Sequence, residues 1–264
     1  MSIDARALVG NYIERTFPKY FNKASGGLRH PFIDPGEGYR GILWDWDAYF
    51  CLLGLEPWAD QVADVARGCV LNFIDHQRVD GSIPYCLTEK AGKPGKARPA
   101  DAAANSAKPL IAQFAVMAAR YQESGVRGQG SEGCPQWLAE VYPALARHCE
   151  HWEETQQHDN GLFTFRSHRG SGSDDHPAVY CRPFNSSADV YLNSLMVEEY
   201  RAMGEVSGVG CRVSGGDELT KEWGKKAETL AQRMRELMWD PIDGAFYNLD
   251  VGSADPGKVN QEVT

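Results

Sequence analysis

With 264 residues, of which 42% are hydrophobic and 11% aromatic, the chain can bury the core of a sizeable domain, which excludes a peptide or a disordered segment. Its 27 basic and 36 acidic residues give a net charge of −9 with no long Lys/Arg block, so neither nucleic acid nor an anionic membrane is an expected partner. The longest apolar stretches, such as that around Ala112 to Ala119, are too short to cross a bilayer, and Met1-Ser2-Ile3-Asp4-Ala5-Arg6 does not open a secretory signal. A cytoplasmic location is the expectation. The seven cysteines are an odd number without a C-x-x-C pair and are expected to be free thiols used in packing.

In chain order, helix candidates begin at Ala5. Val62, Val65, Ala66, Cys69, Val70, Phe73 and Ile74 follow the 3, 4, 3, 4 spacing of one helix face, as do Leu138, Val141, Tyr142, Leu145, Cys149 and Trp152. Ala227, Leu230, Met234, Leu237 and Met238 repeat the pattern. Between these amphipathic helices, Pro109 to Tyr121 and Ala188 to Tyr200 are apolar on most sides and predict helices covered all round. Inner and outer helices should alternate.

Each amphipathic helix ends in a turn dipeptide before an apolar residue: Asp80-Gly81-Ser82-Ile83, Asn160-Gly161-Leu162-Phe163 and Asp243-Gly244-Ala245-Phe246. The nearly even spacing of the three glycines predicts repeated two-helix units. Strand-like pieces are limited to the neighbourhoods of Phe163 and Phe246. The expected class is all-α with short β hairpins, about seven helices forming an incomplete arc of an α/α toroid. Val251 to Gly257 is loop-like, and no helix is expected between it and Thr264.

Two segments carry chemistry. Gly41-Ile42-Leu43-Trp44-Asp45-Trp46-Asp47-Ala48-Tyr49-Phe50 mixes aromatic faces, which stack on the C–H faces of sugar rings, with carboxylates that accept neighbouring hydroxyls. The same residues would also serve as core tryptophans and a helix-capping Asp45 or Asp47. Arg166 to Pro177 is a glycine-serine loop that delivers Asp174, Asp175 and His176, and a carboxyl held in such a loop can stay protonated as a general acid. His176 suits either a sugar contact or an orienting hydrogen bond. His148 and His151 lie three apart on a helix without a third ligand at metal spacing and are taken as structural. Neither a metal nor a cofactor is expected, and nucleotide and serine-hydrolase motifs are absent.

The order Trp46-Asp47-Ala48-Tyr49-Phe50 with Gly54-Leu55, Gly81-Ser82-Ile83-Pro84, Lys108-Pro109, Ser171-Gly172-Ser173-Asp174 and Leu192-Asn193-Ser194-Leu195 resembles the trehalase, processing α-glucosidase and mannosylglycerate hydrolase group. The resemblance runs from about Gly41 to Asp250 and implies an (α/α)6 toroid, a six-hairpin glycosidase, that hydrolyses glycosides with inversion. It implies Asp174 as the catalytic acid and Trp46 and Asp47 at the subsite of the cleaved sugar; Trp44, Tyr49, Lys108, Asp175 and His176 are expected as further substrate contacts. Ala48, Lys108 and Ser173 depart from the residues the group commonly has and leave the sugar open.

The segment that carries the base glutamate in that group has no match before Thr264, and Glu262 is a tail residue. Residues 1–264 are therefore expected to be the N-terminal part of a single catalytic domain, acting on an oligosaccharide or glycoside of α-glucoside type. A non-catalytic sugar-binding or helical scaffold protein, or a toroid epimerase or lyase that relies on His or Tyr, are the alternatives.

Overall fold

The computed structural model describes residues 5–88, 105–125, 135–173, 176–180, 182–208 and 215–252. Seven α-helices run through them: α1 (Ala5–Thr16), α2 (Asp45–Gly54), α3 (Ala59–Asp75), α4 (Ile111–Gly125), α5 (Gln136–Gln156), α6 (Val190–Ser207) and α7 (Gly216–Leu237). The strands are short: β1 (Phe21–Asn22), β2 (Phe32–Ile33), β3 (Ile42–Trp44), β4 (Cys86–Thr88), β5 (Ser187–Ala188), β6 (Trp239–Asp240), β7 (Ala245–Phe246) and β8 (Leu249–Asp250).

Helices α2, α4 and α6 form an inner layer, and α3, α5 and α7 pack outside it. The sequence pattern explains the division. On α7 the buried residues are Trp223, Ala227, Leu230 and Met234, a single stripe at helical spacing, and most of the rest of the helix is polar, with Leu237 exposed. All six periodic residues of α5 are buried, with Trp152 among the largest fully enclosed side chains. By contrast α4 buries Ile111, Ala112, Phe114 to Ala119 and Tyr121, nearly its whole circumference, because outer helices and α6 flank it. Its small alanines let these neighbours approach closely. The predicted alternation of inner and outer helices is therefore found, although α6 continues past Tyr200 to Ser207.

The outer helices hand the chain back through tight turns. Gly81, Gly161 and Gly244 all have positive φ, at +80°, +88° and +64°. In the first two turns the side chain before the glycine closes an Asx turn: Asp80 Oδ1 accepts the Ser82 N–H at 3.0 Å, and Asn160 Oδ1 accepts the Leu162 N–H at 3.0 Å. A glutamine also repeats, with Gln77 Nε2 donating to the Gly81 carbonyl and Gln157 Nε2 to that of Gly161. These paired hydrogen bonds make the recurring dipeptide a real structural repeat.

After each turn the chain pairs with the segment that enters an inner helix. β4 lies antiparallel to β3, with Trp44 opposite Cys86, just before α2. Pro84 bridges to Ser106 ahead of α4, and Thr164 bridges to Ala188 ahead of α6. β8 pairs with β5 before the same helix, and β6 with β7 closes the last hairpin. Apart from the pieces near Phe163 and Phe246, these pairings escape a periodicity argument because two or three residues are too few to show alternation. Their effect is to gather the N-terminal ends of α2, α4 and α6 at one mouth.

Among the described residues, Cys69, Cys86 and Cys149 are buried thiols and Cys51 is exposed, while Cys134, Cys181 and Cys211 lie outside them. Burial pushes the Cys69 thiol up to about 12, so it packs and does not react. No helix of the described residues is long and apolar enough to cross a membrane.

Candidate active site

The mouth is built on three inner-helix entries, each bringing one charged side chain into the interior. Asp45 opens α2, Lys108 stands just ahead of α4, and Asp189 is the N-cap of α6; their residues are 1%, 2% and 1% exposed. A carboxylate at a helix start is favoured by the unpaired N–H groups there, and Asp45 Oδ1 accepts the Trp46 N–H at 2.7 Å. Its other oxygen takes the Lys108 backbone N–H at 2.8 Å. The Lys108 ammonium completes the pair, with Nζ at 3.2 and 3.3 Å from the two carboxylate oxygens. Such a pair balances two desolvation costs, so removing one partner strands a charge in the core.

Above this pair sits an aromatic cluster. Lys108 Nζ is 5.7 Å from the centre of the Trp46 ring, a cation–π contact in a dry setting. Trp46 meets Phe50 at 4.5 Å on its own helix and Tyr191 of α6 edge-on at 5.1 Å. The Tyr191 hydroxyl is buried without a hydrogen-bond partner, and burial together with the charges of Asp45 and Asp189 drives its pKa far up. It stays a neutral phenol. Asp47, half-buried one residue after Trp46, has its carboxyl pKa raised by burial and by Asp45, against a lowering pull from Lys108.

The glycine-serine loop closes over these groups. His168 to Ser171 forms one 3-10 turn, and Gly172 follows at φ +77°. A Cβ at Gly172 would lie 2.6 Å from Lys108 Cε, 2.8 Å from Nζ and 3.8 Å from Trp46 Cγ. Only glycine lets the backbone come this close while keeping that φ. Ser167 Oγ donates to Asn105 Oδ1 at 2.9 Å, and Ser171 Oγ to the Ser173 carbonyl at 3.0 Å, which ties the loop to the α4 entry and to itself. Asp174 and Asp175 lie outside the described residues.

His176 resumes the described chain. Its Nδ1 accepts the Ala178 N–H at 3.2 Å, which leaves the proton on Nε2, 3.0 Å from Asp189 Oδ2. Asp189 also caps α6 by taking the Leu192 N–H at 3.1 Å. The hydrogen bond to Asp189 raises the His176 pKa, partly offset by burial. This histidine thus joins the end of the loop to an inner helix.

The other sequence candidates are more dispersed. Trp44 ends β3, with its ring against Tyr39 and Tyr85 and its indole N–H buried without a partner. Tyr49 packs on Phe50 and Phe114 and lines a groove of about 430 Å³ between α2, α4 and α6. His148 and His151 do different work. His148 is fully buried with Nε2 at 3.4 Å from the Lys108 carbonyl, and burial pulls its pKa down to about 4, whereas His151 Nδ1 contacts the Asp80 carbonyl at 3.0 Å. No group of three His, Cys, Asp or Glu side chains among the described residues is placed to hold a metal.

Three residues of the mouth lack a sequence signal of their own: Asp189, Tyr191 and Asn105. Asp45 was visible as a sugar-accepting carboxylate or a helix cap, but not as the partner of Lys108. A usable signal does exist, since Asp45 and Asp189 stand at equivalent places, each an acid between a short strand and an inner helix.

Chemically, the mouth offers a partly open indole with a loop backbone laid against it and against Lys108, and a half-buried carboxylate with a raised pKa. That combination suits a neutral polyhydroxy ligand. Comparison with known structures places the fold. A GH63 mannosylglycerate hydrolase from Thermus thermophilus, solved with glucose, superposes with a TM-score of 0.64 at 16% identity, over 95% of this chain and 69% of that one. Neutral trehalase Nth1 from Saccharomyces cerevisiae matches with a TM-score of 0.59 at 16% identity, over 84% of this chain and 49% of that one. At such identities the likeness is one of fold, that of the six-hairpin (α/α)6 glycosidases. No curated protein matches the sequence. The sequence model of the mannosylglycerate hydrolase MGH1-like glycoside hydrolase domain matches residues 39–263, and the chain belongs to that family.

Proposed function

We propose that the chain is the acid-bearing part of an inverting glycoside hydrolase that acts on an α-glucoside-like sugar. Trp46 supplies the stacking face, Asp47 accepts sugar hydroxyls, and Asp174 gives its proton to the leaving oxygen. The buried Lys108–Asp45 pair forms the floor that fixes Trp46. The observation that carries this reading is the contact of Gly172 with Lys108 and Trp46, because it brings the loop to within two residues of Asp174 at the indole. Glucose bound in the mannosylglycerate hydrolase of the same fold supports a hexose as the ligand. Trp44, Asp175 and His176 are the further sugar contacts of this reading, whereas Tyr49 faces the groove and is not one of them.

Inversion needs a second carboxylate on the far face of the ring, roughly 6.5 to 9.5 Å from the acid, to activate water. In this reading that base comes from outside residues 1–264. Domain membership and a cytoplasmic location belong to the same proposal. The test is hydrolysis of an α-glucoside by the full gene product. Asp174→Asn should lower kcat by about 10² to 10⁴, the worth of general acid catalysis, and Asp175→Asn by about tenfold or less. The reverse ranking would move the acid to Asp175, and activity indifferent to both would remove the loop from catalysis.

A further inference from the structure

Glu199 lies midway along α6, away from the mouth loops, and is 1% exposed. Its carboxylate serves a different helix: Oε1 accepts the Ala112 N–H at 2.8 Å and Oε2 the Gln113 N–H at 3.1 Å. Both donors belong to the first turn of α4, where N–H groups have no partner within their own helix. The cap of α4 is therefore supplied across the helix–helix interface, by a charge placed where the helix dipole favours it. Gln113 adds a second tie, with Nε2 donating to the Pro109 carbonyl at 2.9 Å and to the Leu195 carbonyl of α6 at 3.0 Å. Between this capped turn and Lys108 lie only Pro109, whose φ is fixed by its ring, and Leu110, whose N–H donates to the Lys108 carbonyl at 2.7 Å. A shift of the first turn of α4 would pass directly to Lys108, and from there to Asp45 and Trp46.

We propose that Glu199 is a positioning residue for the mouth: by capping α4 from α6 it fixes the Lys108–Pro109 turn, and with it the contacts of Lys108 to Asp45 and Trp46. The functional consequence rests on the sugar-binding reading above; the geometric consequence does not. Burial pushes the Glu199 carboxyl up to about 7, and its backbone hydrogen bonds hold it from going higher, so the cap changes charge near neutrality. The titratable groups that face it are the Tyr49 phenol of α2 and the Cys149 thiol of α5, both raised by burial and neutral in that range. Beyond them Glu153 of α5 pairs with Lys226 of α7, Arg201 with Glu198 on α6, and Arg120 of α4 with Glu205. On protonation Glu199 loses its charge while both oxygens still face backbone donors, which weakens the cap.

The test uses the full chain labelled with 5-fluorotryptophan, the Trp46 resonance being assigned with Trp46→Phe. In the wild type this resonance should shift between about pH 5.5 and about pH 8.5 with a midpoint near 7. His176 titrates in the same range and is joined through Asp189 to the Tyr191 side of Trp46, so the step is read in His176→Gln, which should keep it. In Glu199→Gln combined with His176→Gln it should vanish, and in Glu199→Gln affinity for D-glucose should fall about tenfold. Glu198→Gln, the exposed neighbour, should change neither. A His176→Gln protein without the step, a step that survives Glu199→Gln combined with His176→Gln, or unaltered glucose affinity in Glu199→Gln would overturn the proposal. Absence of glucose binding by every protein would sink the sugar reading and leave the Trp46 step to decide the positioning role. If Glu199→Gln does not fold, Gln113→Ala replaces it: a displaced Trp46 resonance supports the proposal and an unmoved one overturns it.

Discussion

The mouth and the groove both lie between α2, α4 and α6, and both hold ion pairs, yet the two regions treat charge in opposite ways. At the mouth, Lys108 and Asp45 are enclosed and hydrogen-bonded to each other and to backbone. In the groove, Arg120 meets both oxygens of Glu205 at 2.8 Å, but the side chains are 64% and 50% exposed. The groove pair has the shorter contacts and the smaller energetic role, because water screens it and can solvate either partner alone. Distance alone does not rank the two pairs; surroundings do. The lesson is that the mouth's charges hold its geometry, whereas the groove's charges mainly keep a surface wet.

Substitutions can break or sharpen this contrast. The largest effect is expected from Lys108→Met, which leaves Asp45 buried and unpaired and should cost about 3 to 5 kcal/mol of stability, seen as a lower urea midpoint at unchanged slope. A loss under about 1 kcal/mol would mean that water reaches Asp45. Next comes Gly172→Ala, where a left-handed φ adds to a clash with Lys108, for a cost of about 1 to 3 kcal/mol. Gly244→Ala has a similar φ of +64° but open space around its Cβ, so it should cost less and isolates the backbone contribution.

The His176–Asp189 link should contribute about 1 kcal/mol with a distinct pH signature. Its folded pKa lies above the ordinary 6.5, so the native state holds the proton more tightly than the unfolded chain. The difference between wild type and His176→Gln should therefore be full below about pH 6.5 and fade as pH rises through the raised value. A difference that grows with pH would place the proton elsewhere. Smallest of all, Arg120→Met should cost no more than about 0.5 kcal/mol, and that loss should disappear in about 1 M salt.

The helices were legible because their apolar residues have a period: Ala227, Leu230 and Met234 follow one stripe in the sequence and in the structure, where Trp223 joins them and Leu237, expected on that face, is exposed. The turns were legible because Gly81, Gly161 and Gly244 each answer a need for positive φ. The strand pairs at the mouth were mostly illegible, since pairs such as Ser187–Ala188 with Leu249–Asp250 depend on chain return and not on local pattern. At the site, Trp46, Asp47 and Lys108 stood out through motif order, but the partner of Lys108 proved to be Asp45, and that of His176 proved to be Asp189. Such pairings require knowing which helix starts share a face. Glu199 was hidden for the same reason, as an acid in an apolar helix whose partners are backbone N–H groups of another.

The central claim is that sugar binds at the mouth, on Trp46, and not in the groove or on the outer layer. Titration of the 5-fluorotryptophan-labelled chain with D-glucose tests it directly, because Trp46 at the mouth and Trp223 between the inner and outer layers report separately from one sample. The account predicts a saturable shift of the Trp46 resonance, abolished by Asp47→Asn, with Trp223 unmoved. A glucose-dependent shift confined to Trp223, or a Trp46 resonance that stays fixed while glucose binds, would contradict it.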